Sequence, residues 1–159
     1  MHQKELSLWL RAVVVIGWIT CGLLAFAVMP KLAMDAATDL PEFSHLARPC
    51  LILFWIGMAP VVLALWHAWR IFTEIGRDNS FCEENARRLR WISLLALGDT
   101  VLCVASGVFL LLCNALHPGI FLLMLLIAVV GLGMFAASAA LSHLTWKAAA
   151  LKAENDLTI

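Results

Sequence analysis

Long apolar runs alternate with short polar segments along the chain, and this pattern predicts four membrane-spanning helices. A transmembrane helix needs about 20 mostly apolar residues. Runs of that kind lie at about 8–29, 50–69, 89–114 and 118–146. Backbone groups in lipid must find hydrogen bonds within the protein, so the runs predict helices. The short alternating segments of a transmembrane barrel are absent from the sequence.

Short connections between the runs predict an all-α, up-down-up-down four-helix bundle that forms one domain, 1–159. Residues 30–49 would form the outer loop, 70–90 a cytoplasmic segment and 147–159 a cytoplasmic tail. We expect the outer loop to be a plain connector, although its composition also suits a short surface helix.

Three local signals refine the predicted helix ends. Ser80 followed by Glu83 fits a capping box, so helix three should begin near Phe81. Pro118 suits the first turn of helix four, where its missing N–H costs nothing. Pro60 removes one backbone hydrogen bond inside helix two and predicts a kink there.

Lys and Arg are concentrated on one side of the predicted bundle. Nine of the eleven lie in the N-terminus, the 70–90 segment and the tail. Basic residues are retained in the cytoplasm, so both termini should be cytoplasmic. Five of the seven tryptophans, which prefer the membrane–water boundary, fall at the same ends of the spans: Trp9, Trp66, Trp69, Trp91 and Trp146.

Composition supports a membrane protein and excludes several other classes. The chain has 159 residues, of which 63% are hydrophobic and 14% charged, whereas a soluble domain is about half apolar and a quarter charged. Disorder requires few apolar residues. Eleven basic residues balance eleven acidic ones, so no basic excess points to direct nucleic-acid binding. The lipid bilayer is the predicted environment.

Small and polar residues at helical spacing predict the faces that pack inward, because small side chains let helices approach closely in lipid. The predicted faces are Gly17 and Thr20 on helix one; Gly57, Pro60, Ala64 and His67 on helix two; Ala96, Asp99, Cys103 and Ser106 on helix three; and Gly133, Ala136, Ala140 and His143 on helix four.

Asp99 is the carboxylate that lies well inside a span, and such a residue is by default a functional-site hypothesis. His67 and His143 should share a level nearer the interface, with Asp99 roughly 8 Å deeper. Three interpretations remain open. The residues relay protons or cations in a transporter, bind a cofactor or metal, or are structural, with Asp99 protonated or hydrogen-bonded to a hydroxyl such as that of Thr20.

The remaining reactive residues give no sign of an enzyme. None of the five cysteines forms a Cys-x-x-Cys pair, which disfavours a thiol oxidoreductase. Cys50 and Cys113 both fall near outer helix ends, so a disulfide between them is geometrically conceivable. No nucleophile–base pair or metal-ligand cluster is evident. We therefore predict no catalytic residue, no metal and no cofactor.

Two stretches resemble signatures of a known bacterial family. Residues 76–90 read Gly-Arg-Asp-Asn-Ser-Phe-Cys-Glu-Glu-Asn-Ala-Arg-Arg-Leu-Arg, which resembles the Gly-x-x-x-x-Phe-x-x-Glu-Asn-x-x-x-Leu-Arg signature of the YoaS-like group of four-span membrane proteins. The end of the chain, 152–159, resembles that group's Glu-Asn-Asp-Leu-Thr-Val ending. The group is a domain of unknown function. The resemblance implies a multi-pass protein of the bacterial cytoplasmic (inner) membrane, often encoded beside a small Cro-like helix-turn-helix regulator.

This context suggests a cytoplasmic docking surface for a soluble partner such as that regulator. Its residues would be Phe81, Glu84, Asn85, Leu89, Arg90, Glu154, Asn155, Asp156 and Leu157. The alternative is a well-capped helix start and a fraying tail. The first functional hypothesis is therefore a membrane-embedded regulator or sensor. The second is a small proton- or cation-coupled transporter that uses Asp99 and could act as a homo-oligomer.

Overall fold

The computed structural model describes residues 3–39, 41–77 and 79–156, and the regular elements in these ranges are all helical. Four of the helices are long and apolar enough to cross a membrane, which confirms the all-helical class and the expectation of four helices of this kind. The elements are α1 (Gln3–Leu23), a π-helical segment (Leu24–Val28), α2 (Met29–Asp39), a 3-10 segment (Pro41–Leu46), α3 (Ala47–Ile75), α4 (Glu83–Leu112) and α5 (Pro118–Asp156).

The four long helices pack one after another in the order of the chain. α1 packs on α3, α3 on α4, and α4 on α5. In the ranges that the structure describes, no Cα atom of α1 lies within 8 Å of one in α5. This single-file packing leaves α5 supported by α4 alone.

The π-helical segment joins α1 to α2 at a position set by Pro30. The amide of Met29 donates to the carbonyl of Leu24, five residues earlier. In that register the carbonyl of Ala25 would accept from residue 30, but proline has no N–H. The indole of Trp55 on α3 donates to the Ala25 carbonyl instead, at 3.0 Å. A carbonyl without a hydrogen-bond donor is costly in lipid, so this bond holds the helix against α3.

The chain therefore continues as a helix where the sequence predicts a plain connector. α2 and the 3-10 segment occupy most of the range between the first two spans. The alternative expectation, a short helix in the outer segment, describes this region better.

The predicted capping box at the start of α4 is not formed. The helix begins at Glu83, and its N-cap, Cys82, makes no side-chain capping bond. Asn85 organises the turn instead, since its amide donates to the carbonyls of Ser80 at 3.1 Å and Asn79 at 3.4 Å. Asn85 is only 1% exposed. A buried amide that satisfies two loop carbonyls fixes the turn more firmly than an exposed hydroxyl would.

The α4–α5 connection is a tight helical hairpin. Asn114 adopts the left-handed conformation, with φ 53°. The amide of Ala115 donates to Leu110 O and that of Asn114 to Leu111 O, both at 3.0 Å, which is the Schellman arrangement. α5 then begins at Pro118 as predicted. The hairpin brings α5 directly back along α4.

The face of α5 that contacts α4 is not the predicted one. Gly133, Ala136, Ala140 and His143 are exposed, whereas Ser138, Thr145 and Ala149 are buried. The Ser142 hydroxyl donates to the carbonyl of Ala86 on α4 at 2.7 Å. Both faces carry small residues, but hydroxyls gain more from a helix interface than from lipid. Ser138, Ser142 and Thr145 therefore indicate the contact face of α5 better than the small residues do.

Candidate intramembrane site

Asp99 lies near the middle of α4, beside a glycine on α3. It is sixteen residues from Glu83 and thirteen from Leu112, which places it about 24 Å and 20 Å from the two ends of the helix at 1.5 Å per residue. A Cβ atom at Gly57 would lie 3.3 Å from Asp99 Oδ1. The missing side chain at position 57 therefore leaves space for the carboxylate between the two helices.

The carboxylate opens into an apolar cavity of about 470 Å³. α3 and α4 contribute most of its lining, and α2 and α5 contribute the rest. Around Asp99 the walls are almost entirely hydrocarbon and sulfur, with Ser106 as the other polar side chain. Representative lining residues are Met29 and Leu32 from α2, Phe54 and Val61 from α3, Leu102 and Leu110 from α4, and Met124 and Ile127 from α5.

Asp99 has no hydrogen-bond donor or basic partner among the described residues. The thiol and the hydroxyl of α4 that line the same cavity are engaged elsewhere. Cys103 Sγ donates weakly to Met124 O at 3.7 Å, and Ser106 Oγ donates to Leu102 O at 2.8 Å. A carboxyl group in an apolar site needs a proton, a cation or a donor. The cavity therefore presents an unpaired acid to whatever enters it.

The structure does not bring the other predicted intramembrane residues to Asp99. Thr20 is exposed on α1, and its hydroxyl donates to Ile16 O of the same helix at 2.9 Å. The Thr20–Asp99 hydrogen bond suggested by the sequence is therefore not formed. The His67 ring stacks on Trp91, with centroids 6.4 Å apart and planes 3° apart. His143 is exposed on the far face of α5.

The possibility of a metal site can be tested on the described residues. No group of three or more His, Cys, Asp or Glu side chains there could hold a metal ion. All five cysteines lie in the described ranges as free thiols, so Cys50 and Cys113 are not joined.

α2 supplies a wall of the cavity that the sequence analysis missed. Met29, Leu32 and Ala33 line it; Met29 ends the predicted first span, but Leu32 and Ala33 lie in the segment expected to be a connector. Their spacing of three and four residues continues the helical periodicity of the first span, and this was the available signal.

The predicted cytoplasmic docking residues lie in different environments. Phe81 is 58% exposed, and Glu84 and Arg90 are also exposed. Glu84 pairs with Arg88 one turn later. Asn85 is buried in the turn and Leu89 is half-buried, so neither presents its side chain freely.

The tail residues lie on the part of α5 that extends past the first residues of α4. Ser142 contacts Ala86, and Glu154 follows twelve residues later on the same helix, about 18 Å further along its axis. Glu154 and Asn155 are exposed and Asp156 ends α5. Leu157 lies outside the described residues. The tail and the start of α4 therefore do not form one compact patch.

Comparison with known proteins identifies the family of the chain but indicates no reaction and no ligand. Residues 31–159 match the family described as "Protein of unknown function (DUF2975)". The chain is 28% identical over 150 residues to the "Uncharacterized membrane protein YoaS" of Bacillus subtilis (strain 168), covering 93% of each chain. No solved structure matches. The family match covers α3, α4 and α5 and most of α2, and the chain thus belongs to the DUF2975 family of proteins of unknown function.

Proposed function

We propose that the protein is a membrane-embedded receptor of the bacterial inner membrane, with a ligand site at Asp99 and a cytoplasmic surface that docks a soluble regulator. The observation that carries the proposal is the unpaired carboxylate of Asp99 at the base of an apolar cavity. An intramembrane acid with no protein partner is expensive unless something else neutralises it.

An up-down-up-down arrangement with both termini in the cytoplasm completes the proposal. It is supported by contacts between opposite ends of neighbouring long helices: Ser7 with Phe72, His67 with Trp91, and Ala86 with Ser142. The concentration of Lys and Arg on the same side supports the orientation.

The cavity favours a small apolar ligand that carries a positive charge. Its volume of about 470 Å³ falls within the range of roughly 300–1,000 Å³ that is typical of ligand pockets. Hydrocarbon walls suit an apolar body, and Asp99 suits a cationic group that would otherwise be stranded in lipid.

α4 is the element that connects the cavity with the cytoplasmic surface. It carries Asp99 in mid-span and begins at Glu83, next to the exposed Phe81. A ligand that shifts α4 would alter the turn held by Asn85, where a partner such as a small helix-turn-helix regulator would dock.

Hydrogen–deuterium exchange tests this coupling with tetraphenylphosphonium, a permanent apolar cation, as the probe. In lipid nanodiscs we expect the cation to change exchange at residues 79–90 in the wild type and not in Asp99→Asn. The matched control Asp35→Asn, which removes an exposed carboxylate on α2, should respond like the wild type. Equal responses of the wild type and Asp99→Asn would contradict the proposal.

A small proton- or cation-coupled transporter is the second candidate, since it too would use an acid in mid-span. A transporter must open its site to both sides of the membrane. The cavity lining extends from Asp99 toward Cys50 and Leu110, at the same end of the two helices, and includes no residue of α4 before Asp99. An alternating-access transporter also exposes its site to one side at a time, so uptake measurements distinguish the two candidates. Proton-coupled uptake into reconstituted vesicles that is lost in Asp99→Asn would favour the transporter.

A further inference from the structure

Two arginines lie at the same level on neighbouring helices. Arg11 directly precedes the uncharged run of α1, and Arg70 directly follows that of α3. Ser7 bonds to Phe72 O at 2.6 Å, and the backbone at Gly17 contacts the Leu65 side chain. The stretch of α1 that holds Arg11 therefore lies opposite the stretch of α3 that holds Arg70.

A row of three indoles extends between these arginines. Arg11 Cζ lies 5.4 Å from the ring centroid of Trp69, and Arg70 Cζ lies 5.4 Å from that of Trp66. Trp18 contacts both indoles, with centroids 5.7 Å from Trp69 and 6.4 Å from Trp66. The arrangement places two cations beside three aromatic side chains, at the level where the uncharged runs of α1 and α3 are bounded by arginine.

Neither arginine is neutralised within the described part of the protein. The described ion pairs join Arg77 to Glu74 and Arg88 to Glu84. Arg11 Nε is buried and has no hydrogen-bond partner among the described residues. The Trp69 ring stabilises the Arg11 cation without neutralising its charge, so an anion beside the guanidinium would stabilise this site.

We propose that Arg11 and Arg70 bind the headgroup of an anionic phospholipid, with Trp18, Trp66 and Trp69 beside its glycerol and upper acyl chains. Guanidinium groups pair with phosphate oxygens through two parallel hydrogen bonds. Tryptophan favours the headgroup level of the bilayer, and basic pockets between helices at that level suit lipid headgroups. The lipid belongs to the leaflet on the side where α1 begins and α3 ends.

Native mass spectrometry of the detergent-purified full chain tests the site. The protein is titrated with dioleoyl phosphatidylglycerol or with dioleoyl phosphatidylcholine, which has the same acyl chains but no net charge. We expect the wild type to bind its first phosphatidylglycerol at least tenfold more tightly. The double variant Arg11→Gln/Arg70→Gln should lose this preference. Arg77→Gln, which removes a cation paired with Glu74 at the end of α3, should keep it.

Further measurements test the proposal even if the double variant does not fold. A wild type without preference for phosphatidylglycerol overturns the proposal on its own, as does a folded double variant that retains the preference. Arg11→Lys, which keeps the positive charge, should retain most of the preference for phosphatidylglycerol. Millimolar glycerol 3-phosphate should not displace the lipid. Displacement would show that the site takes free phosphate, and the lipid assignment would be wrong.

Discussion

Gly57 on α3 leaves room for the carboxylate of Asp99 on α4, because a Cβ at position 57 would lie 3.3 Å from Asp99 Oδ1. The acid in the middle of the membrane thus depends on a residue without a side chain on the neighbouring helix. Pairing of a small residue with a buried polar group is how helices in lipid accommodate close contacts. Several measurable consequences follow from this and the other interhelical contacts.

Enlarging residue 57 should close the space beside Asp99. Gly57→Val adds two methyl groups beyond the Cβ that already lies near the carboxylate, so we expect tetraphenylphosphonium to bind at least tenfold more weakly. Gly133→Val is the matched control, because a Cβ there meets nothing within 4 Å. Binding is measured by equilibrium dialysis in nanodiscs. Equal affinities of the two variants would show that the space at Gly57 is not needed.

Gly131 on α5 should tolerate no larger residue, because a Cβ there would overlap the hydroxyl of Thr100 on α4. We expect Gly131→Ala to lower the free energy of unfolding by about 1–3 kcal/mol, a typical cost of overpacking. Denaturant titration in mixed micelles provides the measurement. Adding Thr100→Ala should restore most of the loss, and Gly133→Ala should be neutral. A Gly131→Ala protein as stable as the wild type would contradict the observed helix crossing.

Trp55 and Pro30 should be energetically coupled. Trp55→Phe leaves the Ala25 carbonyl without a donor, and we expect a loss of about 1–3 kcal/mol in unfolding free energy. Pro30→Ala restores the backbone N–H, so the same Trp55 substitution should cost less in that background. A double-mutant cycle measures the difference. Additive effects would mean that the indole does not replace the missing amide.

Asn85 should matter more than Ser80 to the turn before α4. Asn85→Ala removes the buried amide that holds the carbonyls of Asn79 and Ser80, and we expect faster proteolysis between residues 76 and 82. Ser80→Ala should leave the cleavage rate within about twofold of wild type, since a side-chain cap on α4 is absent. Faster cleavage of Ser80→Ala than of Asn85→Ala would instead support the capping box predicted from the sequence.

The sequence predicts the long helices of this fold better than it predicts which of their faces are in contact. Four apolar runs predict the four long helices. The single acidic residue in the middle of the third run, Asp99, identifies the base of the cavity, because a charged side chain is rare within an apolar span. The contact face of α5 could not be chosen from small residues alone, since Gly131 and Gly133 lie on different sides of one helix.

The packing of the segment before α2 against α3 could not be predicted from the sequence, because it depends on a tertiary hydrogen bond. Pro30 removes one backbone donor from the continuous helix, and the Trp55 indole of α3 replaces that donor. Contacts that join residues thirty positions apart leave no trace in local periodicity. The single-file packing of the helices is likewise set by which faces meet, which apolar content does not encode.

The most direct test of the Asp99 site compares two probes of similar shape and different charge. Nanodisc-embedded wild type and Asp99→Asn are each titrated with tetraphenylphosphonium and with neutral tetraphenylsilane, which carries the same four phenyl groups. We predict that the wild type prefers the cation by at least tenfold, about 1.4 kcal/mol, and that Asp99→Asn binds both probes equally. A preference of the same size in both proteins, or none in the wild type, would contradict a cation-binding role for Asp99.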